Sequence, residues 1–143
     1  MLVYARDESE PEKQPRASEW LEYVWKTESG RLSGQVLAEY YVTVTEKLRP
    51  GLDREAARHD VRDLHAWSPV PMNAHLLELA WSIQDRFLVS WWDALIVGAA
   101  QASGCQILLS DDFQEGQTFD AVRVVNPFLH APMADQERST LPG

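Results

Sequence analysis

Three carboxylates occupy positions from which they could serve one metal ion. Asp93 stands three residues after Ser90 at the start of an apolar helix, and Asp112 follows the short apolar run 107–109. In a parallel α/β sheet, ligands bind at the carboxyl ends of the strands. Together with Glu39 from an earlier helix, these side chains are hard oxygen donors of the kind that Mg²⁺ or Mn²⁺ requires. The pattern predicts an acidic cation site.

Each carboxylate also has an ordinary structural interpretation. Glu39 lies at the border of the apolar stripe of its helix, where a glutamate usually faces solvent. Asp93 is at capping-box distance from Ser90 and could simply complement the helix dipole. Asp111 and Asp112 could form a turn whose side chains bind nearby amides. Two adjacent carboxylates rarely face one ion, so we expect at most one of them to be a principal ligand.

Composition favours one acidic globular domain. The chain has 143 residues, 45% of them hydrophobic, and a formal net charge of −9. Proteins that hold nucleic acid by neutralising phosphate usually have a basic surface, and this chain cannot have one overall. A nucleic-acid role therefore requires local cations, a basic partner or a bound metal that reverses the local field.

Several features favour a cytoplasmic protein. The single cysteine, Cys105, lies beside an apolar run, which indicates a buried thiol in a reducing compartment. No cationic start followed by an apolar segment marks a signal peptide. The longest apolar stretch, 94–100, is too short to span a bilayer. We expect no membrane association.

Helices and short apolar strands alternate along the chain, which predicts an α/β fold with a parallel sheet. Apolar spacing and capping residues predict helices over 11–28, 34–48, 53–65, 73–87 and 90–102. Strands are predicted over 107–109 and 122–125, a short strand or edge segment over 67–71, and a loop over 114–117. We expect one domain over 1–128 and a disordered tail over 129–143.

Five blocks of this chain, in register from Leu2 to Phe128, resemble the PIN-domain ribonuclease family. The closest resemblance is to the toxin component of bacterial VapBC toxin–antitoxin pairs. The blocks are LVYARD at 2–7, SGQVLAEYY at 33–41, SWWDA at 90–94, LSDDFQEG at 109–116 and VVNPF at 124–128. Each block alone is weakly diagnostic, whereas their order and register are specific.

The resemblance implies a fold, a reaction and a set of site residues. The fold is a three-layer α/β/α sandwich with a parallel sheet. The resemblance assigns Glu39, Asp93 and Asp112 as the catalytic carboxylates that bind Mg²⁺ or Mn²⁺. Ser110 matches a hydroxyl near the metal, and Asp111 has a supporting place. The implied reaction is hydrolysis of RNA phosphodiester bonds by one or two carboxylate-bound ions that activate water.

The chain departs from the family at its beginning. Family members usually open with a central strand ending in Asp-Thr-Asn, whose aspartate is a principal metal ligand. Met1 stands at an internal position of that block. We expect the first central strand to be missing, so that the chain is truncated relative to the family. The intact downstream blocks favour a misassigned start codon.

Two classes of function remain open, with a third that lacks support. The first is an endoribonuclease toxin that acts on RNA, pairs as a homodimer and is silenced by a small antitoxin. In the family resembled, the first helices form the antitoxin groove, and an apolar arc around Tyr23 and Trp25 extends beyond what one helix face can bury. The alternative is a catalytically deficient truncated PIN domain that only binds an antitoxin or oligomerises. A sugar or nucleotide enzyme lacks any motif, such as a glycine-rich phosphate loop.

Overall fold

The computed structural model describes residues 1–132, which contain five α-helices and three β-strands. A 3₁₀ turn at Val3–Arg6 precedes the first helix, a π turn at Thr43–Lys47 extends the second and a 3₁₀ turn at His65–Trp67 extends the third. The α-helices are α1 Lys13–Thr27, α2 Gly34–Val42, α3 Arg54–Leu64, α4 Ala74–Phe87 and α5 Trp91–Ala102. The strands are β1 Ile107–Leu109, β2 Thr118–Phe119 and β3 Val122–Val125. All five predicted helices and both predicted apolar strands are confirmed.

Short polar side chains determine where four of the helices begin. Ser33, Asp53, Asn73 and Ser90 each have an extended backbone, and each side chain accepts a hydrogen bond from the backbone N–H three residues later. These bonds satisfy donors that the first helical turn leaves without an intrahelical partner. Because the caps are local in sequence, the starts of α2 to α5 agree with the predicted ones.

The sheet is mixed, so the prediction of a parallel sheet was wrong in part. The strand order is β1–β3–β2. Leu108 lies opposite Val124 in the parallel β1–β3 pair, whereas Phe119 lies opposite Val122 in an antiparallel pair. Two residues separate β2 from β3, and a connection that short can join only antiparallel strands. Asp120 makes the turn possible with a positive φ of 57°.

Strand β1 is paired on one side only within the described residues. Its partner is β3, and Ile107, Leu108 and Leu109 are all half-buried. By contrast, three of the four residues of β3 are buried. The segment predicted as a strand at 67–71 forms a single parallel bridge from Val70 to Ser33. The described sheet therefore has an apolar open edge at β1.

Buried apolar side chains form separate clusters on the two halves of the molecule. The first lies between α4, α5 and the sheet and includes Leu76, Ile83, Leu95 and Phe119. The others lie among α1, α2, α3 and the first 3₁₀ turn. The α/β class is thus confirmed, whereas the three-layer arrangement stays a prediction.

Three smaller expectations can be compared with the described residues. No helix within residues 1–132 has the length and apolarity needed to cross a membrane. Cys105 is half-buried rather than buried, and its Sγ lies 3.7 Å from Ser103 Oγ. Of the predicted tail, residues 133–143 lie outside the described residues, while His130 Nε2 lies 2.7 Å from Glu115 Oε1.

Candidate functional site

A fixed turn places two carboxylates at the carboxyl end of β1. The N–H of Ser110 donates to the carbonyl of Val125 at 3.1 Å, which continues the pairing of β1 with β3. The Ser110 hydroxyl then accepts a hydrogen bond from the N–H of Asp112, also at 3.1 Å. This turn leaves Asp111 half-buried and Asp112 exposed. Both carboxylates therefore lie at the sheet edge where the sequence predicts a site.

The ammonium group of Lys13 lies beside this turn. Its Nζ is 3.5 Å from Asp111 Oδ2 and donates a long hydrogen bond of 3.4 Å to the hydroxyl of Tyr4. It also lies over two aromatic rings, 4.6 Å from the centroid of Tyr4 and 5.2 Å from that of Phe128. The hydrogen bond to Tyr4, assisted by the charge of Asp111, raises the pKa of Lys13. Lys13 is thus charged at neutral pH.

The amino group of Met1 interacts electrostatically with the same turn. Burial lowers the pKa of the Met1 amino group, while the charges of Asp111 and Asp112 act in the opposite direction. These electrostatic interactions require the amino group to lie near the two carboxylates. The Met1 amino group therefore lies within electrostatic range of the turn after β1.

Asp93 occupies the third position of α5 and is half-buried. Its N–H donates to Ser90 Oγ at 3.1 Å, so half of the predicted capping box is present. A carboxylate in the first turn of a helix is stabilised by the helix dipole. These contacts agree with the interpretation of Asp93 as a helix-start residue, and its role as a metal ligand stays a prediction.

Glu39 lies on α2 and is exposed. Its Oε1 accepts a hydrogen bond of 3.0 Å from the side chain of Gln35, one helical turn earlier. The next residue, Tyr40, is buried. Glu39 therefore lies at the border of the apolar stripe, as its helical position predicts.

These carboxylates do not form a ready-made metal site among the described residues. Within residues 1–132, no three Asp, Glu, His or Cys side chains are grouped so that they could hold a metal ion. The donor chemistry of Glu39, Asp93 and Asp112 suits Mg²⁺ or Mn²⁺, but the arrangement does not. Their assignment as metal ligands stays a prediction.

A second polar cluster, which the sequence analysis missed, joins three elements of the helical half. Arg6 donates two hydrogen bonds to Asp60, at 2.6 and 3.0 Å, and the hydroxyl of Tyr40 donates to the same carboxylate at 2.5 Å. The cluster ties the first 3₁₀ turn to α2 and α3. Arg6 and Asp60 are 54 residues apart, so no local spacing could have indicated their pairing.

The Tyr40 hydroxyl predicts a loss of stability in alkali. Burial, followed by the hydrogen bond to Asp60, raises the pKa of Tyr40 above its ordinary value of 10.0. The folded state therefore retains this proton more strongly than the unfolded state. Its contribution to stability is fully present below pH 10 and is lost as the pH rises toward the folded pKa.

We expect the free energy of unfolding of the natural chain to fall more steeply above pH 10 than that of Tyr40→Phe. Urea denaturation of both chains across this pH range measures the difference. Lysine titration affects both chains alike, so the difference isolates Tyr40. Parallel pH profiles would show that Tyr40 titrates normally.

A groove of about 770 Å³ lies beside this cluster. Its walls come from the first 3₁₀ turn, α1 and α3, and they combine apolar and charged side chains. They include Leu2, Leu21, Trp25, Leu64, Arg6, Asp60, Arg62 and Asp63. Trp25 is 40% exposed, as predicted, whereas Tyr23 is half-buried with its ring against Trp20.

Comparison with known proteins gives one family. The family model described as PIN domain matches residues 2–120, which is most of the chain and includes Glu39, Asp93, Ser110 and Asp112. A search of curated proteins gave no significant match. PIN domains are generally nucleases and typically use divalent metal ions.

Proposed function

We propose that this chain, which belongs to the PIN-domain family, is a metal-dependent endoribonuclease and the toxin of a type II toxin–antitoxin pair. The observation that carries the proposal is the family match over residues 2–120, together with two carboxylates and a hydroxyl at the carboxyl end of β1. The proposed substrate is RNA, and the proposed compartment is the cytoplasm.

In this proposal Glu39, Asp93 and Asp112 are the Mg²⁺ or Mn²⁺ ligands, Ser110 shapes the turn and Asp111 supports it. A bound divalent ion would supply Lewis acidity and an activated water for phosphodiester hydrolysis. Because the three carboxylates are not grouped among residues 1–132, the active arrangement requires a change from the described one.

An additional strand, formed by residues other than the described ones, would provide part of that change. The free edge of β1 is apolar and half-buried, and a parallel strand there would end near Asp111 and Asp112. We include such a strand, and the three-layer sandwich that it would complete, in the proposal.

Cleavage of RNA by the purified chain tests the activity. We expect single-stranded RNA to be cut internally in Mg²⁺ or Mn²⁺ and to remain intact in EDTA. An Asp112→Asn chain purified in the same way controls for contaminating ribonucleases. Equal cleavage with and without EDTA would contradict metal dependence, and equal cleavage by Asp112→Asn would contradict the proposed site.

The alternative function is a catalytically deficient PIN domain that binds an antitoxin or oligomerises without cutting RNA. The specific observation in its favour is that no metal-holding group is present among the described residues. Absence of cleavage at every metal concentration, combined with stable binding to the antitoxin, would favour this alternative over the toxin.

The groove beside α1 and α3 supports the proposed partner. An amphipathic segment could lay apolar side chains against Leu21 and Trp25, next to the charged lining residues Arg62 and Asp63. We propose that a small antitoxin binds there and that the toxin is a homodimer. Co-expression with the product of the neighbouring gene, followed by light scattering, tests both. A monomer recovered without that product would contradict both.

A further inference from the structure

Lys13 differs from two arginines of this molecule, Arg6 and Arg86, in how closely its charge is paired. Arg6 is paired with Asp60 at 2.6 Å, and Arg86 is paired with Asp120 at the same distance. Both arginines also donate a second hydrogen bond to the same carboxylate. Such close, bidentate pairs leave little capacity for another anion. The nearest carboxylate oxygen to Lys13, by contrast, is 3.5 Å away.

The partners of Lys13 hold its position without saturating its hydrogen-bonding capacity. An ammonium group has three N–H donors. Its contacts with Tyr4 Oη and Asp111 Oδ2 are both at or beyond 3.4 Å, which is longer than a normal charge-assisted hydrogen bond. The rings of Tyr4 and Phe128 attract the cation electrostatically but accept no ordinary hydrogen bond.

The position of Lys13 on the fold explains how it reaches the turn after β1. It is the first residue of α1, and its side chain is 36% exposed. Tyr4 comes from the first 3₁₀ turn, and Phe128 follows β3; their rings meet edge to face at 5.1 Å. Three distant parts of the chain thus position one ammonium group beside the candidate site. A lysine that serves only solubility does not need aromatic rings and a hydroxyl to hold its ammonium group in one position.

We propose that Lys13 anchors a backbone phosphate of single-stranded RNA beside the Ser110–Asp112 turn. This inference rests on the proposed function and adds to it a substrate-positioning residue. A chain of net charge −9 repels RNA in general, and a cation fixed next to Asp111 lowers the cost of bringing a phosphate up to the carboxylates. The phosphate would replace the long contact to Asp111 with a short charge-assisted hydrogen bond.

Binding measured without cleavage tests this role. The probe is a fluorescein-labelled polyuridine strand, titrated in EDTA at several low salt concentrations and followed by anisotropy. We expect Lys13→Met to weaken binding roughly tenfold, which corresponds to the loss of one charge-assisted hydrogen bond. The slope of log K against log salt should become shallower by about 0.7, the value for one phosphate contact on a single strand.

Two variants act as matched controls. Lys26→Met removes the same charge from the last turn of the same helix, at an exposed position, and should change binding far less. Lys13→Arg keeps the charge and should retain most of the salt dependence. Thermal melting of all variants shows whether Lys13 has a merely structural role, because such a role would lower the melting temperature without changing the salt slope.

The outcomes separate this inference from the proposed function. If Lys13→Met and Lys26→Met bind RNA equally, the anchoring role is wrong even if the natural chain cleaves RNA. If only Lys13→Met loses RNA binding while no metal ion supports cleavage, the anchoring role of Lys13 is supported and the proposed nuclease activity is wrong. If the natural chain does not bind the strand at low salt, the anchoring role is wrong.

Discussion

Replacing Asp112 with asparagine should lower the rate of RNA cleavage roughly hundredfold or more, the scale seen when an enzyme loses one preorganised electrostatic contribution to its transition state. The side chain of Asp112 is exposed, and the turn uses only its backbone N–H, which donates to Ser110 Oγ. The substitution keeps the size of the side chain and removes its negative charge. The fold should therefore survive while the proposed chemistry is lost.

Asp85→Asn is the matched control for this experiment. Asp85 is an exposed residue on α4, away from the turn after β1 in sequence, and its substitution should leave the cleavage rate unchanged. Circular dichroism and thermal melting should give the same result for both variants and the natural chain. If Asp112→Asn cleaves RNA as fast as Asp85→Asn does, Asp112 is not a catalytic carboxylate.

Local signals explain why so much of the helical structure could be predicted. Ser33 and Asp53 accept the backbone hydrogen bonds that begin α2 and α3, and the next few residues show helical apolar spacing. Helix α1 ends at Thr27, and the next residue, Glu28, has a positive φ of 55° that terminates the helix two residues before Gly30. Interactions of this kind join residues that are a few positions apart, so they can be predicted from a single sequence.

Interactions between distant segments could not be predicted in the same way. Strand β2 is two residues long, too short for any alternation of apolar side chains to be seen, and its partner determines its direction. The Arg6–Asp60–Tyr40 cluster and the contact of Lys13 with Asp111 depend on the packing of separate elements. Lys13 had one sequence signal: it is the only lysine in an acidic stretch with Glu8, Glu10 and Glu12.

The site residues show the same difference between local signals and interactions of distant segments. The sequence correctly placed Asp93 at a helix start and Asp112 after a strand, because each position follows from its own element. Whether carboxylates from three elements meet depends on how the helical half lies against the sheet. Within residues 1–132, the contacts that join the two halves include the bridge from Ser33 to Val70, the hydrogen bonds of Trp20 and the contact of Lys13 with Asp111.

Trp20 is therefore expected to be the side chain whose loss costs the most stability. It is 1% exposed on α1, and its indole N–H donates to the carbonyls of Pro127 and His130, both at 2.9 Å. Trp20→Ala removes a large buried ring and leaves two carbonyls without this donor. We expect the free energy of unfolding to fall by about 3–5 kcal/mol, a large part of the stability of a domain this size.

Two further variants identify the source of that loss. Trp20→Phe keeps one six-membered ring but removes the indole N–H, so its cost of about 1–3 kcal/mol combines the two lost hydrogen bonds with a smaller loss of packing. Trp92→Ala removes a tryptophan that is 59% exposed and should change stability by less than about 0.5 kcal/mol. Urea denaturation of the three variants gives these values. If Trp20→Phe were as stable as the natural chain, the two hydrogen bonds would not contribute to holding α1 against the segment after β3, and packing alone would connect the halves there.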